Sequence, residues 1–213
     1  GVLGTAPPAD GQVTNVHATF LGDPRSQVTV SWRTPISGGT SVEYGLSSAL
    51  GSSAGGTGLP SGGGFQHHVA LSGLEPGTTY YYRPDGGPLS SFKTAPAGSE
   101  HFRFAAVGDV QGWASVTQAW QDASNFLAQQ DLLFWMPLGD LVQFGAQQSQ
   151  WDAFWGGCPT LSQSAAVMPV IGNHDCYGDP NWWPQLFLDQ FRLPDNGNAD
   201  YQDAKNWFAD GLS

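Results

Sequence analysis

The sequence predicts a multidomain β plus α/β protein: a β-sandwich followed by an α/β unit. Three observations carry this expectation. Residues 1–97 hold short alternating runs separated by Gly, Pro, Asp and Ser. From Phe102 onward, longer apolar runs alternate with stretches of helical spacing. Three of those apolar runs end in Gly followed by an oxygen-bearing side chain: Gly108-Asp109, Gly139-Asp140 and Gly172-Asn173-His174-Asp175.

In the amino-terminal unit, Gln27-Val28-Thr29-Val30-Ser31-Trp32 alternates strictly, with Val28, Val30 and Trp32 on one face. That period marks a half-buried strand. Residues 13–20, 41–44, 67–71, 79–83 and 89–94 are further strand candidates, and many short strands with such punctuation imply a sandwich. Residues 51–64 are so rich in Gly that a mobile loop is expected there. His67 and His68 are adjacent, so on a strand they face opposite ways and share no metal; an exposed pair at a strand start is expected. His17 is a strand residue with no visible partner.

After the short junction at residues 95–100, residues 102–107 form a strand and residues 115–129 a helix, with Val116, Trp120, Phe126 and Leu127 near helical spacing. Residues 132–138 form the next strand, 147–155 a second helix, and 167–171 a third strand. This order predicts parallel strands covered on both faces. The expected domains are residues 1–97 and 98–213.

Charge narrows the function. With 18 acidic and 7 basic residues, the net charge is -11. Nucleic-acid binders present Lys/Arg patches, so neither nucleic acid nor an anionic membrane surface is an expected partner. No apolar run approaches the roughly 20 residues that span a bilayer. The chain starts at Gly1 and has scarce Lys with abundant Gly, Ser, Thr and Trp, which suggests a secreted, periplasmic or cell-surface location. Cys158 and Cys176 either pair as a disulfide, the favoured expectation, or remain two buried thiols. A bond closing that loop would contribute about 3 kcal/mol.

Asp140 follows Asp109 by 31 residues, and Asn173 follows Asp140 by 33. Each interval is about one β-α-β repeat, which returns the chain to the same sheet edge. Ligands of open α/β sheets gather at the carboxyl ends of strands, so the three side chains are expected to converge. Asp and Asn offer hard oxygen ligands, and His174 offers a proton near neutral pH. The Gly before each permits a sharp turn and close approach. Strand-end Asp and Asn also serve as plain helix caps, a reading disfavoured by the threefold repetition.

These three blocks, in this order and at this spacing, resemble the calcineurin-like metallophosphoesterases, and among them the purple acid phosphatase type. Leu74-Glu75-Pro76-Gly77-Thr78-Thr79-Tyr80 resembles the tyrosine corner of fibronectin type III domains, which also fits the Trp32 strand and Ser91-Phe92-Lys93-Thr94. The resemblance implies a fibronectin III-like sandwich followed by the first part of a metallophosphoesterase α/β sandwich. It implies a phosphate ester substrate and two divalent or mixed-valence ions, with zinc, iron and manganese as candidates. By match, Asp109 binds the first ion, Asp140 bridges both and Asn173 binds the second. His174 serves the leaving group, with Asp175 orienting it. Gln111 stands where many relatives carry His and is a secondary metal candidate.

Two departures follow. Gln143 stands where the purple enzymes have their colour-giving Tyr, and no His follows His174, whereas the family draws several ligands from downstream histidines. Residues 191–197 and 206–212 resemble family segments brought unusually close together. The expectation is therefore a metal-dependent phosphoric ester hydrolase that is incomplete as this chain. The alternative is a non-catalytic secreted structural or assembly protein, joined by self-association or by a C-terminal part completing its sheet. Trp113, Trp182 and Trp183 follow the motif blocks, as core or as cleft lining.

Overall fold

The computed structural model describes residues 12–111 and 118–194. The first unit is two antiparallel sheets packed face to face. One orders its strands β1 (Thr14–Thr19), β2 (Gln27–Thr34), β6 (Gly64–Ser72) and β5 (Thr57–Ser61). The other orders β4 (Ser52–Gly55), β3 (Ser41–Gly45), β7 (Thr79–Pro84) and β8 (Ser90–Lys93). Val28, Val30, Trp32, Val69 and Leu71 of the first sheet meet Val42, Tyr82 and Phe92 of the second in one buried core. The Tyr80 hydroxyl accepts the Glu75 N–H at 3.0 Å, which makes the expected corner.

The Gly-rich residues 51–64 are strand, not a mobile loop. β4 pairs with β3 and β5 with β6, so ladder hydrogen bonds order a stretch with few side chains to pack. The chain crosses between the sheets at Gly56, where a Cβ would collide with the His68 carbonyl.

The histidine pair is also corrected: His67 and His68 are buried, 1% and 6% exposed. They do face opposite ways. His67 lies in the sandwich core, stacked on Trp32 with ring centroids 5.1 Å apart. Its Nε2 lies 2.8 Å from Thr34 Oγ1, whose own proton goes to the Ile36 carbonyl. His67 therefore donates from Nε2.

The second unit is a parallel sheet ordered β11 (Ala166–Val167), β10 (Leu132–Pro137) and β9 (Arg103–Val107). A bridge from Leu138 to Val170 extends β11's pairing. Helix α1 (Gln118–Ala128) connects β9 to β10, and α2 (Gln148–Gly156) with α3 (Pro159–Ser162) connects β10 to β11. A fourth helix, α4 (Gln185–Gln190), follows. Trp120, Trp135, Trp151, Phe154, Trp155, Leu161 and Phe187 form its core. Residues 115–117 of the expected first helix, Trp113 and the segment 206–212 lie outside the described residues, as do 195–197. The expected covering of both sheet faces is not met among the described residues. Phe104 stacks on Phe134 at 5.2 Å yet is 56% exposed, and Leu138 and Val170 are exposed too.

The face of β2 expected to meet solvent is instead buried: Thr29, Ser31 and Arg33 are at most 8% exposed. The α/β unit covers it. His68 Nε2 lies 2.8 Å from the Asp189 carbonyl and its Nδ1 2.8 Å from Ser31 Oγ. A carbonyl only accepts, so Nε2 carries the proton and Nδ1 receives the serine hydroxyl. Ser61 Oγ donates to Asp189 Oδ2 at 2.6 Å. His17, far from partnerless, sits between the Asn15 and Gln190 carbonyls at 2.8 and 3.0 Å and stacks on Trp155 at 4.2 Å.

Burial lowers the pKa of His17 to about 4, against the upward pull of its two carbonyls, and that of His68 to about 3. His68 therefore folds neutral, as its one carbonyl and one hydroxyl partner also require. The unfolded chain binds a proton at this residue below the ordinary value near 6.5 and the native junction does not, so stability falls as pH drops from there toward 4. The expected slope is about 1.4 kcal/mol per pH unit for His68. Denaturant unfolding at several pH values should show a shallower fall for His68→Gln than for the unsubstituted chain.

Candidate active site

β9, β10 and the bridged segment after β11 run parallel, so their carboxyl ends lie side by side. Val107 pairs with Pro137, and the Leu138 N–H reaches the Val107 carbonyl at 2.7 Å. Gly108-Asp109 and Gly139-Asp140 therefore leave adjacent strands at the same level. Asp109 and Asp140 share an unusual backbone, φ 51° and 52°, in the left-handed region. Asp tolerates it better than most residues because its short carboxylate suits local hydrogen bonding. The sharp turn expected of each Gly is thus made by the aspartates, with help from Gly139 at φ 90°. Gly172 has another role. A Cβ there would run into the Asp140 backbone N and Oδ1, so only Gly lets the third loop lie against Asp140.

Asp140 is the meeting point. Its Oδ1 accepts the His174 N–H at 2.9 Å, and its Oδ2 accepts Gln111 Nε2 at 3.3 Å. Its carbonyl accepts the Gln111 N–H at 3.0 Å. With Gln111's amide nitrogen turned to the carboxylate, its Oε1 is buried and accepts no hydrogen bond from the described residues. The structure thus brings Gln111, Asp140 and the 172–175 loop into one hydrogen-bonded unit. Asp109 lies exposed at the adjoining strand end and Asn173 half-buried at the start of the short 3-10 turn His174–Cys176. Neither side chain joins the hydrogen bonds that tie Asp140 to its neighbours.

Asp175 acts on the loops rather than on the imidazole. It is fully buried, and its Oδ1 accepts the Leu141 and Val142 N–H groups at 2.9 and 3.3 Å. Its Oδ2 accepts the Gly172 N–H at 2.8 Å. Burial pushes its carboxyl up to about 6, against the pull of those three donors. The His174 ring is held by Gln143 instead. Both the backbone carbonyl and the side-chain amide nitrogen of Gln143 lie 3.1 Å from Nδ1. A protonated Nδ1 donates to the carbonyl and a bare Nδ1 accepts from the amide, so Gln143 suits either form of the ring. Sequence reasoning met Gln143 only as a missing tyrosine. Its position three residues beyond Asp140 was the available signal.

The favoured disulfide is corrected: both cysteines are free and buried. Cys158 Sγ faces the Phe154 carbonyl at the end of α2, while Cys176 Sγ faces the Gly172 carbonyl, at 3.4 and 3.7 Å. Burial raises both thiols, Cys176 to about 11, so neither is a ready thiolate.

Asp109, Asp140, Asn173 and Gln111 Oε1 supply oxygen donors at one sheet edge, and an orphaned buried carbonyl oxygen suits a cation or a water. Among the described residues, no three His, Cys, Asp or Glu side chains gather around one ion. Oxygen donors of this kind suit a cation, and the described residues do not by themselves make up a two-ion centre. Asp175→Ala strands three amide donors, two of them buried, and should cost at least about 3 kcal/mol, with Asp175→Asn recovering part of it. Gly172→Ala, which forces backbone apart, should cost roughly 1–3 kcal/mol. Urea midpoints check both.

Comparison with known proteins gives the chain its family. Residues 13–106 match the purple acid phosphatase N-terminal domain, and residues 102–211 match the calcineurin-like phosphoesterases. Purple acid phosphatase 22 of Arabidopsis thaliana is 37% identical over 112 residues, covering 51% of this chain and 24% of the relative. Purple acid phosphatase 18 of the same plant is 32% identical over 170 residues, covering 75% and 37%. Purple acid phosphatase PPD1 from yellow lupin (Lupinus luteus) seeds shares the fold, with TM-score 0.65 at 16% identity over 85% of this chain and 39% of its own. PhoD does so with TM-score 0.65 at 15% identity, over 88% and 48%. The chain thus spans between 24% and 37% of these two curated relatives' length. It belongs to the calcineurin-like phosphoesterases, a family of metal-dependent phosphoester hydrolases, and its relatives there are purple acid phosphatases.

Proposed function

We propose that this chain carries part of the active site of an extracytoplasmic metal-dependent phosphoester hydrolase. The observation that carries the reading is Asp140. Its carboxylate is fixed at both oxygens, by Gln111 and by the His174 backbone, at the carboxyl ends of adjacent parallel strands. A bridging ligand needs that rigidity, because it sets the separation of two ions.

Asp109 and Gln111 Oε1 would hold one ion, Asn173 the other, and Asp140 both. Two ions drawn from zinc, iron or manganese would polarise the phosphoryl oxygens and lower the pKa of bound water. The remaining work falls to the protein's side chains. As the water oxygen bonds to phosphorus, the ester P–O bond breaks and the alcohol departs with a proton. His174 would give that proton from Nε2, a role supported by Gln143 engaging Nδ1. Asp175 positions this arrangement by holding the 141–142 and 172 amides.

A second reading is favoured by one observation. Among the described residues β9 is a sheet edge, and Phe104 on it and Phe102 just before it are 56% and 52% exposed, which suits a structural protein that joins other chains.

Phosphatase assays on the 213-residue chain with added zinc, manganese or iron separate the two. Turnover abolished by Asp140→Ala supports the hydrolase, and no turnover with any metal supports the second reading. In an active preparation, His174→Ala should lower kcat by roughly 10²–10⁴ for alkyl esters and much less for 4-nitrophenyl phosphate, whose leaving group needs little protonation. Equal losses on both esters would rule out the proton-donor role.

A further inference from the structure

We propose that Tyr177 and Trp182 form an aromatic platform beside His174 that selects phosphate esters with a small, flat aromatic leaving group. This rests on the hydrolase reading and adds a substrate class to it.

The tryptophans of the two cores are shut away: Trp32, Trp135 and Trp151 are 0% exposed, Trp155 2% and Trp120 5%. Tyr177 and Trp182 are instead 41% and 37% exposed. They are joined to each other and to the candidate proton donor. The His174 and Tyr177 rings lie 5.7 Å apart at 28°, and Tyr177 meets Trp182 edge-on at 5.1 Å and 85°. Phe144 backs Tyr177 at 5.8 Å. The pair therefore adjoins the imidazole that the hydrolase reading makes the proton donor.

The loop is built to hold Trp182 there. Trp182 adopts φ 54°, a left-handed conformation that a bulky residue rarely takes. Asp179 enforces it: its carbonyl accepts the Trp182 N–H at 3.0 Å, and its Oδ1 accepts the Asn181 and Trp183 N–H groups at 2.8 and 3.3 Å. At the other end, the Ala146 N–H ties down the Tyr177 carbonyl at 3.1 Å, and Gly178 turns the chain at φ 93°. Strain maintained by surrounding bonds, on a residue that stays open to solvent, points to a ligand rather than to packing. Offset and edge-to-face contacts between aromatic rings supply the selectivity.

The test is calorimetric titration of the manganese-supplied 213-residue chain with phenyl phosphate, methyl phosphate and inorganic phosphate. Phenyl phosphate should bind roughly three- to tenfold more tightly than methyl phosphate. Trp182→Asn and Tyr177→Leu should each reduce the ratio of phenyl phosphate to methyl phosphate affinity. Asn accepts the left-handed backbone, so Trp182→Asn removes the ring without adding strain. Equal affinity for the two esters, or a preference that survives both substitutions, would overturn the platform while leaving the hydrolase reading intact. If neither ester nor inorganic phosphate binds, the hydrolase reading falls and the platform with it.

Discussion

The site depends on one buried carboxylate. Asp175 lies wholly inside the protein and accepts three backbone N–H groups from two loops. Each loop follows a different parallel strand, and each carries a candidate ligand next to an anchored amide: Asp140 before Leu141, Asn173 after Gly172. The cost of burying a charge is offset by donors that cannot move, since they belong to the main chain. The same burial pushes the carboxyl up to about 6, so the brace exists because the fold surrounds it. Gly145 and Gly172 complete the contact. A Cβ at Gly145 would collide with the Asp175 carbonyl, and one at Gly172 with Asp140.

A second polar contact fixes the two units against each other. Ser31, His68 and Asp189 form one line across the junction, and Trp155 covers His17 while its Nε1 reaches Gln190 Oε1 at 2.7 Å. Gln190 in turn presents its carbonyl to His17. Helix α4, which carries Asp189 and Gln190, is thus tied to the sandwich as well as to its own unit. The 172–184 segment that leads into α4 bears both His174 and the aromatic pair, so the sandwich helps to fix the site's rim.

Much of this was legible in the chain. Alternation located β1, β2, β3, β6, β7 and β8, because a period of two follows directly from strand geometry. The three Gly-led blocks marked the strand ends because their spacing equals the β-α-β repeat. Other features were hidden, for physical reasons. Residues 51–64 looked too Gly-rich for order, yet cross-strand hydrogen bonds need no side chains. His68 looked like a surface residue and His17 like a strand residue without a partner, because one sequence cannot reveal that a second unit covers the polar face of the sheet. The free thiols were the less favoured of two readings, because loop length says nothing about which way each sulfur points. Gln143 could not be matched to His174, since their pairing joins residues 31 apart through a turn that only coordinates define.

The covered polar face of β2 has a bearing on how this molecule tolerates change. Alternation normally tells a protein engineer which positions are free: the polar half of the pattern can drift, while the apolar half cannot. Here Ser31, Arg33 and His68 wear the pattern of drifting positions but lie under the rules of an interior. A substitution at these sites would be felt as a change in the seating of a neighbouring unit. Grafting a different sandwich onto the α/β portion would therefore fail unless those outward-facing side chains travelled with it.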